Sequence, residues 1–338
     1  MAAIGRMAAI FGCEGLALTA EESAFFRDTD PFGFILFARN IDTPDQVERL
    51  TRSLRDTVGR DAPILIDQEG GRVQRMRAPH WRNWTPPLDA ATLAGPQAER
   101  VLALRARIIA EELRAVGIDA NCAPVADIAG PETHPFLRNR CYGETAAQVS
   151  SRARAVADAH LAAGVLPVVK HLPGHGRATA DTHLHLPTVT ASRDELAALD
   201  FAPFTALNDL PMAMTAHIIF AAYDADRPAT QSPEMIRVIR QEIGFQGLLM
   251  TDDLNMQALS GSLGQRTRAA MDAGCDIALH CKGDMAEMLE VAAEAGDMRP
   301  DTQSRAATAL ARRTPSDTVD IAALEADLAA MGQGALDG

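Results

Sequence analysis

The sequence predicts a single-domain α/β protein whose eight parallel strands close into a (β/α)8 TIM barrel, and three observations carry that expectation. Eight short apolar runs alternate with longer segments of helical period. A charged or imidazole side chain stands where nearly every run ends, as a barrel mouth requires. The 338 residues fit one barrel with loop insertions, and no composition shift marks a second domain.

Taken in order, the strand candidates are 7–12, 33–37, 63–66, 118–122, 166–169, 212–215, 248–250 and 276–279. Between the second and third, Val47, Leu50, Leu54 and Val58 recur on one helical face. Thr43 there supplies an N-cap and Pro44 the first helical position. Segments 97–116, 145–163, 193–208, 232–243, 262–273 and 284–295 also read as helices, and 302–332 reads as a terminal helical region. The domain is expected to occupy 1–338 with its core at about 5–300. An open doubly wound sheet is the rival, but no G-x-G-x-x-G loop follows an early strand.

Composition narrows the function. With 32 Lys and Arg against 45 Asp and Glu, the net charge of −13 repels phosphate backbones, so no nucleic-acid partner is expected. Five cysteines are odd in number, scattered and without a C-x-x-C pair, the pattern of reduced thiols in a cytoplasmic protein. The N-terminal apolar stretch is broken by Glu14 and lacks an A-x-A site, so it reads as the first strand and not as a signal peptide. No run approaches the ~18 apolar residues that span a bilayer, and no membrane partner is expected.

Three segments could carry chemistry. Segment 168–187 holds Lys170 and four of the nine histidines, namely His171, His175, His183 and His185. One reading is a metal site, although Lys170 would oppose a cation and the spacing matches no ligand signature. The other is acid–base catalysis, with Asp181 two residues before His183 and able to fix its tautomer and raise its basicity. In segment 247–256 a strand runs into Asp252 and Asp253; Asp253 suits a helix cap, while Asp252 points into the mouth as a candidate nucleophile. In segment 63–75 a strand meets Asp67 and then Gly70-Gly71, with Arg72 and Arg75 available for hydroxyl contacts. An acid ahead of the glycines argues against a phosphate cradle.

Together the segments GFILFARN (33–40), DQEGGRVQR (67–75), CAPVADI (122–128), NRCYGE (139–144), KHLPGHG (170–176), DTH (181–183), MTAHI (214–218) and MTDDLNM (250–256) resemble glycoside hydrolase family 3. Within it they are similar to the single-domain bacterial β-N-acetylglucosaminidases of peptidoglycan recycling. The resemblance implies that Asp252 is the nucleophile, His183 the acid/base and Asp181 its dyad partner. It implies that Asp67, Arg75, Arg140, Lys170 and His171 hold the sugars. Departures are mild: Thr182 replaces the commoner Ser, Cys141-Tyr142 the commoner Ser-Phe, and Thr251 a common Ser.

The implied activity is retaining cleavage of the β-1,4 bond between N-acetylglucosamine and (anhydro)muramic acid in cytoplasmic muropeptides, without metal or organic cofactor. Two alternatives stand beside it: a metal-dependent barrel hydrolase built on His171, His175, His183 and His185, and a β-N-acetylglucosaminide phosphorylase. The loop 174–185 is expected to be mobile without ligand and to fold over the sugar when substrate binds, because its glycines and small residues offer little packing to hold one conformation.

Overall fold

The computed structural model describes residues 4–178, 185–314 and 319–331. Its ten strands are β1 (Met7–Phe11), β2 (Pro31–Leu36), β3 (Ile64–Ile66), β4 (Ala120–Asn121), β5 (Leu166–Leu172), β6 (Thr188–Val189), β7 (Met212–Thr215), β8 (Ile219–Phe220), β9 (Leu248–Met250) and β10 (Ala278–His280). Eight of them form one parallel sheet in the order β10-β1-β2-β3-β4-β5-β7-β9. A parallel bridge between Met250 and Ile277 brings the two ends of that order together. The Asp276 amide adds a hydrogen bond to the Leu249 carbonyl at 2.8 Å, and the Thr251 amide one to Ile277 at 3.0 Å. The result is a (β/α)8 barrel, with β6 and β8 as a small separate pair.

Two hydrophobic layers follow from the period of two along each strand. Ala8, Ile10, Leu65, Leu166, Val168, Met212, Met214, Leu248 and Met250 fill the barrel interior. Their strand neighbours Ala9, Phe11, Ile64, Ile66, Ala213 and Leu249 pack outward against the helices. The interior cluster also includes Ala306, Ala309 and Leu310 of the helix Pro300–Leu310, which closes the N-terminal ends of the strands. Below β10, buried Asp276 accepts hydrogen bonds from Arg240, Thr302 and Arg305 and ties that helix to the barrel.

The helix Pro44–Val58 starts as its sequence requires, with the Thr43 hydroxyl accepting from the Gln46 amide and Pro44 in the first turn. Other segments are more broken than their periodicity suggests. Segment 193–208 is interrupted by a π-turn at Leu196–Asp200, and 302–332 resolves into Pro300–Leu310 and Ile321–Ala330. Asp253 caps no helix; Ser262 starts the next one, through a reciprocal capping box with Gln265. The helices Ala20–Thr29 and Pro87–Ala94 lack a clear apolar stripe, which is why periodicity does not announce them.

Burial leaves a stability signature. It holds the imidazoles of His160, His175 and His280 down to about 4, from an ordinary value of 6.5, and for His175 the adjacent His171 adds to the effect. Between those values the unfolded chain binds more protons. Their contribution is therefore full above pH 6.5 and is lost as pH falls toward 4. Asp253, pushed up to about 6 by burial, acts in the opposite sense and offsets part of this. The melting temperature is expected to fall steadily from pH 6.5 to pH 4. A flat profile over that range would mean that these rings are solvated in solution.

Candidate active site

Four side chains reach the barrel mouth by continuing the inward series of their strands. Two residues beyond Leu65, Val168, Met250 and Leu279 stand Asp67, Lys170, Asp252 and Cys281. All four line one cavity of about 710 Å³, mouth included, together with Arg75, Arg140, His171 and His175. Phe37, Phe136 and Met256 contribute apolar wall. This is the C-terminal face of the barrel, where such folds place their chemistry.

The charges on one side of the cavity are matched pair by pair. The Lys170 ammonium lies 2.7 Å from Asp67 Oδ1 and 2.7 Å from Glu69 Oε1. Arg75 donates to the other Asp67 oxygen at 3.0 Å. Arg140 grips Glu69 through two parallel bonds of 2.9 and 2.8 Å. Burial alone would raise the pKa of both acids, but Lys170 and Arg75 hold Asp67, and Arg140 and Lys170 hold Glu69, below the usual carboxylate range. Each group is thus kept ionised by its neighbours. The loop that presents the two acids doubles back through Gly70 and Gly71, at φ +102° and +62°. Gln68 pins it by accepting from the amides of Arg75 and Met76.

His171 is oriented by Asp127, whose Oδ2 lies 2.7 Å from Nδ1. That contact places the ring proton on Nδ1 and leaves Nε2 as the atom able to meet a ligand. Asp127 also accepts from the His175 amide at 2.6 Å, which fixes the strand end. The rings of His171 and His175 meet edge to face at 5.3 Å.

Asp252 stands apart from these pairs. Its Oδ1 accepts from the Asp253 amide at 2.8 Å, and no cation forms an ion pair with it among the described residues. Burial pushes its pKa up, but His217, His171, the Asp253 amide and Lys170 outweigh that and leave it below the ordinary value. It is therefore an ionised carboxylate facing a cavity. Asp253, which also lines the cavity, accepts from the amides of Asn255 and Cys281, both at 3.2 Å. His217, fully buried, bridges the Thr230 hydroxyl at 2.7 Å and the Asp253 carbonyl at 3.1 Å, bracing the peptide behind Asp252.

Of the residues singled out in the sequence, Asp67, Arg75, Arg140, Lys170, His171 and Asp252 come together in this cavity. Asp181 and His183 lie outside the described residues, and His185 is exposed. The charges of Lys170 and Arg140 are already matched by Asp67 and Glu69, so their role turns on N–H donors and not on net charge. Glu69, Asp127 and His217 are functional neighbours that the sequence reading left out of the site; the Asp and His at strand ends were the available signal. The loop from Gly174 is better packed than expected. Ala178 is buried, Arg177 pairs with Asp200 at 2.8 Å, and a Cβ on Gly176 would meet the Ile128 carbonyl at 2.2 Å. The expectation of loose packing is thus corrected for 174–178.

Comparison with known proteins places the chain in a family. The model of the glycosyl hydrolase family 3 N-terminal domain matches residues 5–312. A β-hexosaminidase of Methylococcus capsulatus is 37% identical over 279 residues, which span 80% of this chain and 82% of that protein. The crystal structure of NagZ from Neisseria gonorrhoeae in complex with N-trifluoroacetyl-D-glucosamine superposes with a TM-score of 0.81 at 28% identity, covering 98% of this chain and 96% of that one. A family 3 β-N-acetylglucosaminidase from Paenibacillus superposes equally well, at 0.81 and 30% identity, over 93% of this chain and 63% of its own. A family match over nearly the whole barrel, joined to relatives more than 30% identical over four fifths of the chain, identifies the chain as a member of glycosyl hydrolase family 3.

Proposed function

We propose that this glycoside hydrolase is a retaining exo-β-N-acetylglucosaminidase that releases N-acetylglucosamine from (anhydro)muramic acid in cytoplasmic muropeptides. The observation that carries the reading is Asp252, an ionised carboxylate with no cation partner among the described residues, facing a cavity in which the neighbouring Asp67 is matched to Lys170 and Arg75. The relatives named β-hexosaminidase and β-N-acetylglucosaminidase support the sugar class.

In this mechanism Asp252 attacks the anomeric carbon while His183, supported by Asp181, protonates the departing oxygen. Water activated by His183 then hydrolyses the glycosyl–Asp252 ester and restores the enzyme. Asp67 accepts from sugar hydroxyls, and Lys170, Arg75, Arg140 and the His171 ring offer donors or acceptors around the ring. The pairing of these groups before substrate arrives lowers the cost of ordering them on binding.

The dyad provides the test. His183→Ala is expected to slow cleavage of the unactivated disaccharide about 10²–10⁴-fold, since that aglycone needs protonation to leave. An activated aryl β-N-acetylglucosaminide should lose less in its first step, and glycosyl-enzyme should accumulate. Equal losses on both substrates, or recovery with added Zn²⁺, would make His183 a positioning residue or a metal ligand. The same assay in phosphate buffer should yield free N-acetylglucosamine; a sugar 1-phosphate product would assign the phosphorylase reaction.

A further inference from the structure

Behind the Asp67–Glu69 loop lies a second, small cavity between the barrel wall and the helices Ala98–Ala115 and Ala146–Ala162. Gln68, Glu69, Arg105, Tyr142 and His160 line it, and it has room for about one water-sized body. Arg105 is only 4% exposed, yet no carboxylate pairs with it among the described residues. Its Nη2 donates to the Thr85 carbonyl at 2.7 Å, and its guanidinium lies 5.3 Å from the Trp84 ring. Its Nη1 has no acceptor among the described residues, and neither has the neighbouring Trp84 Nε1. Burial lowers the Arg105 pKa to about 10, which still leaves it charged at neutral pH.

The acceptors on the cavity wall are occupied. Glu69 is held by Arg140 and Lys170. Gln68 Oε1 takes the amides of Arg75 and Met76. His160 contacts Asn121 through Nε2 and the Val156 carbonyl through Nδ1. Tyr142 adds a phenol, kept protonated because burial and Glu69 push its pKa up. The cavity therefore has a positive charge and surplus donors, and its acceptors are committed elsewhere. Burying an unmatched guanidinium is costly enough that a counter-charge is the expected remedy.

We propose that this cavity binds a single monovalent halide, chloride being the abundant one, against the Arg105 guanidinium and the Tyr142 hydroxyl. Room for about one water-sized body suits a single spherical ion better than a polyatomic anion. The bound ion lies directly behind the acid loop, since Arg105 Nη2 is so close to Gly70 that a Cβ there would stand 2.6 Å away. Halide binding should consequently stabilise the folded protein in proportion to occupancy.

Protein prepared without chloride, crystallised and soaked in bromide, tests this directly. An anomalous peak within hydrogen-bond distance of Arg105 is expected. In solution the melting temperature should rise saturably with chloride, by about 2–4 °C at saturation, and should not do so with gluconate at equal ionic strength. Arg105→Met should abolish the chloride dependence. Should that variant fail to fold, Tyr142→Phe removes one donor and should shift the titration to higher chloride. A bromide map without a peak at Arg105, or a melting temperature that follows ionic strength whatever the anion, would overturn the proposal.

Discussion

Asp252→Ala is expected to lower kcat on β-N-acetylglucosaminides by at least about 10⁴-fold while leaving the fold intact, because it removes the atom that forms the intermediate. The side chain sits at the functional end of the barrel, and among the described residues its hydrogen bond is to the adjacent amide, so little packing depends on it. Trapping with a slow-turnover fluorinated sugar followed by peptide mapping should label Asp252. Asp253 is the control for this assignment, since its carboxylate is engaged by the amides of Asn255 and Cys281 and burial raises its pKa to about 6. Label on Asp253 or Glu69, or substantial turnover by the alanine variant, would show the nucleophile to be another carboxylate.

Glu69→Gln is expected to be the most damaging conservative change in the site, in stability as well as activity. Gln keeps the volume but removes the charge that matches Arg140 through two bonds and Lys170 through one. Lys170 would retain Asp67, whereas Arg140 would be left buried with no acid partner among the described residues. Breaking a buried pair from one side costs about 3–5 kcal/mol, so the melting temperature should drop by roughly 4–7 °C. The displaced cations should also raise KM, because the donors that meet sugar hydroxyls lose their orientation. Thermal melts and Michaelis parameters measured together decide the matter. An unchanged melt would mean that Glu69 is protonated or solvated in the free enzyme.

The sequence by itself determined the barrel strands and the end of the barrel at which chemistry sits. A strand's period is two, so apolar runs that finish in Asp67, Lys170 and Asp252 place those groups inward above the core whichever strands become neighbours. Local capping was legible for the same reason, as at Thr43 and Pro44, because donor and acceptor lie within one turn.

The tertiary structure alone decided the partners. Glu69 and Arg140 are 71 residues apart, and Asp127 and His171 are 44 apart. Nothing in local pattern distinguishes Glu69 from a surface acid, or Asp253 from a helix cap, until barrel closure sets the distances between strand ends. Arg105 makes the point most sharply. It lies in an amphipathic helix where an arginine is ordinarily solvated, and only the packing of that helix beneath Gly70 turns it into a buried, unmatched charge.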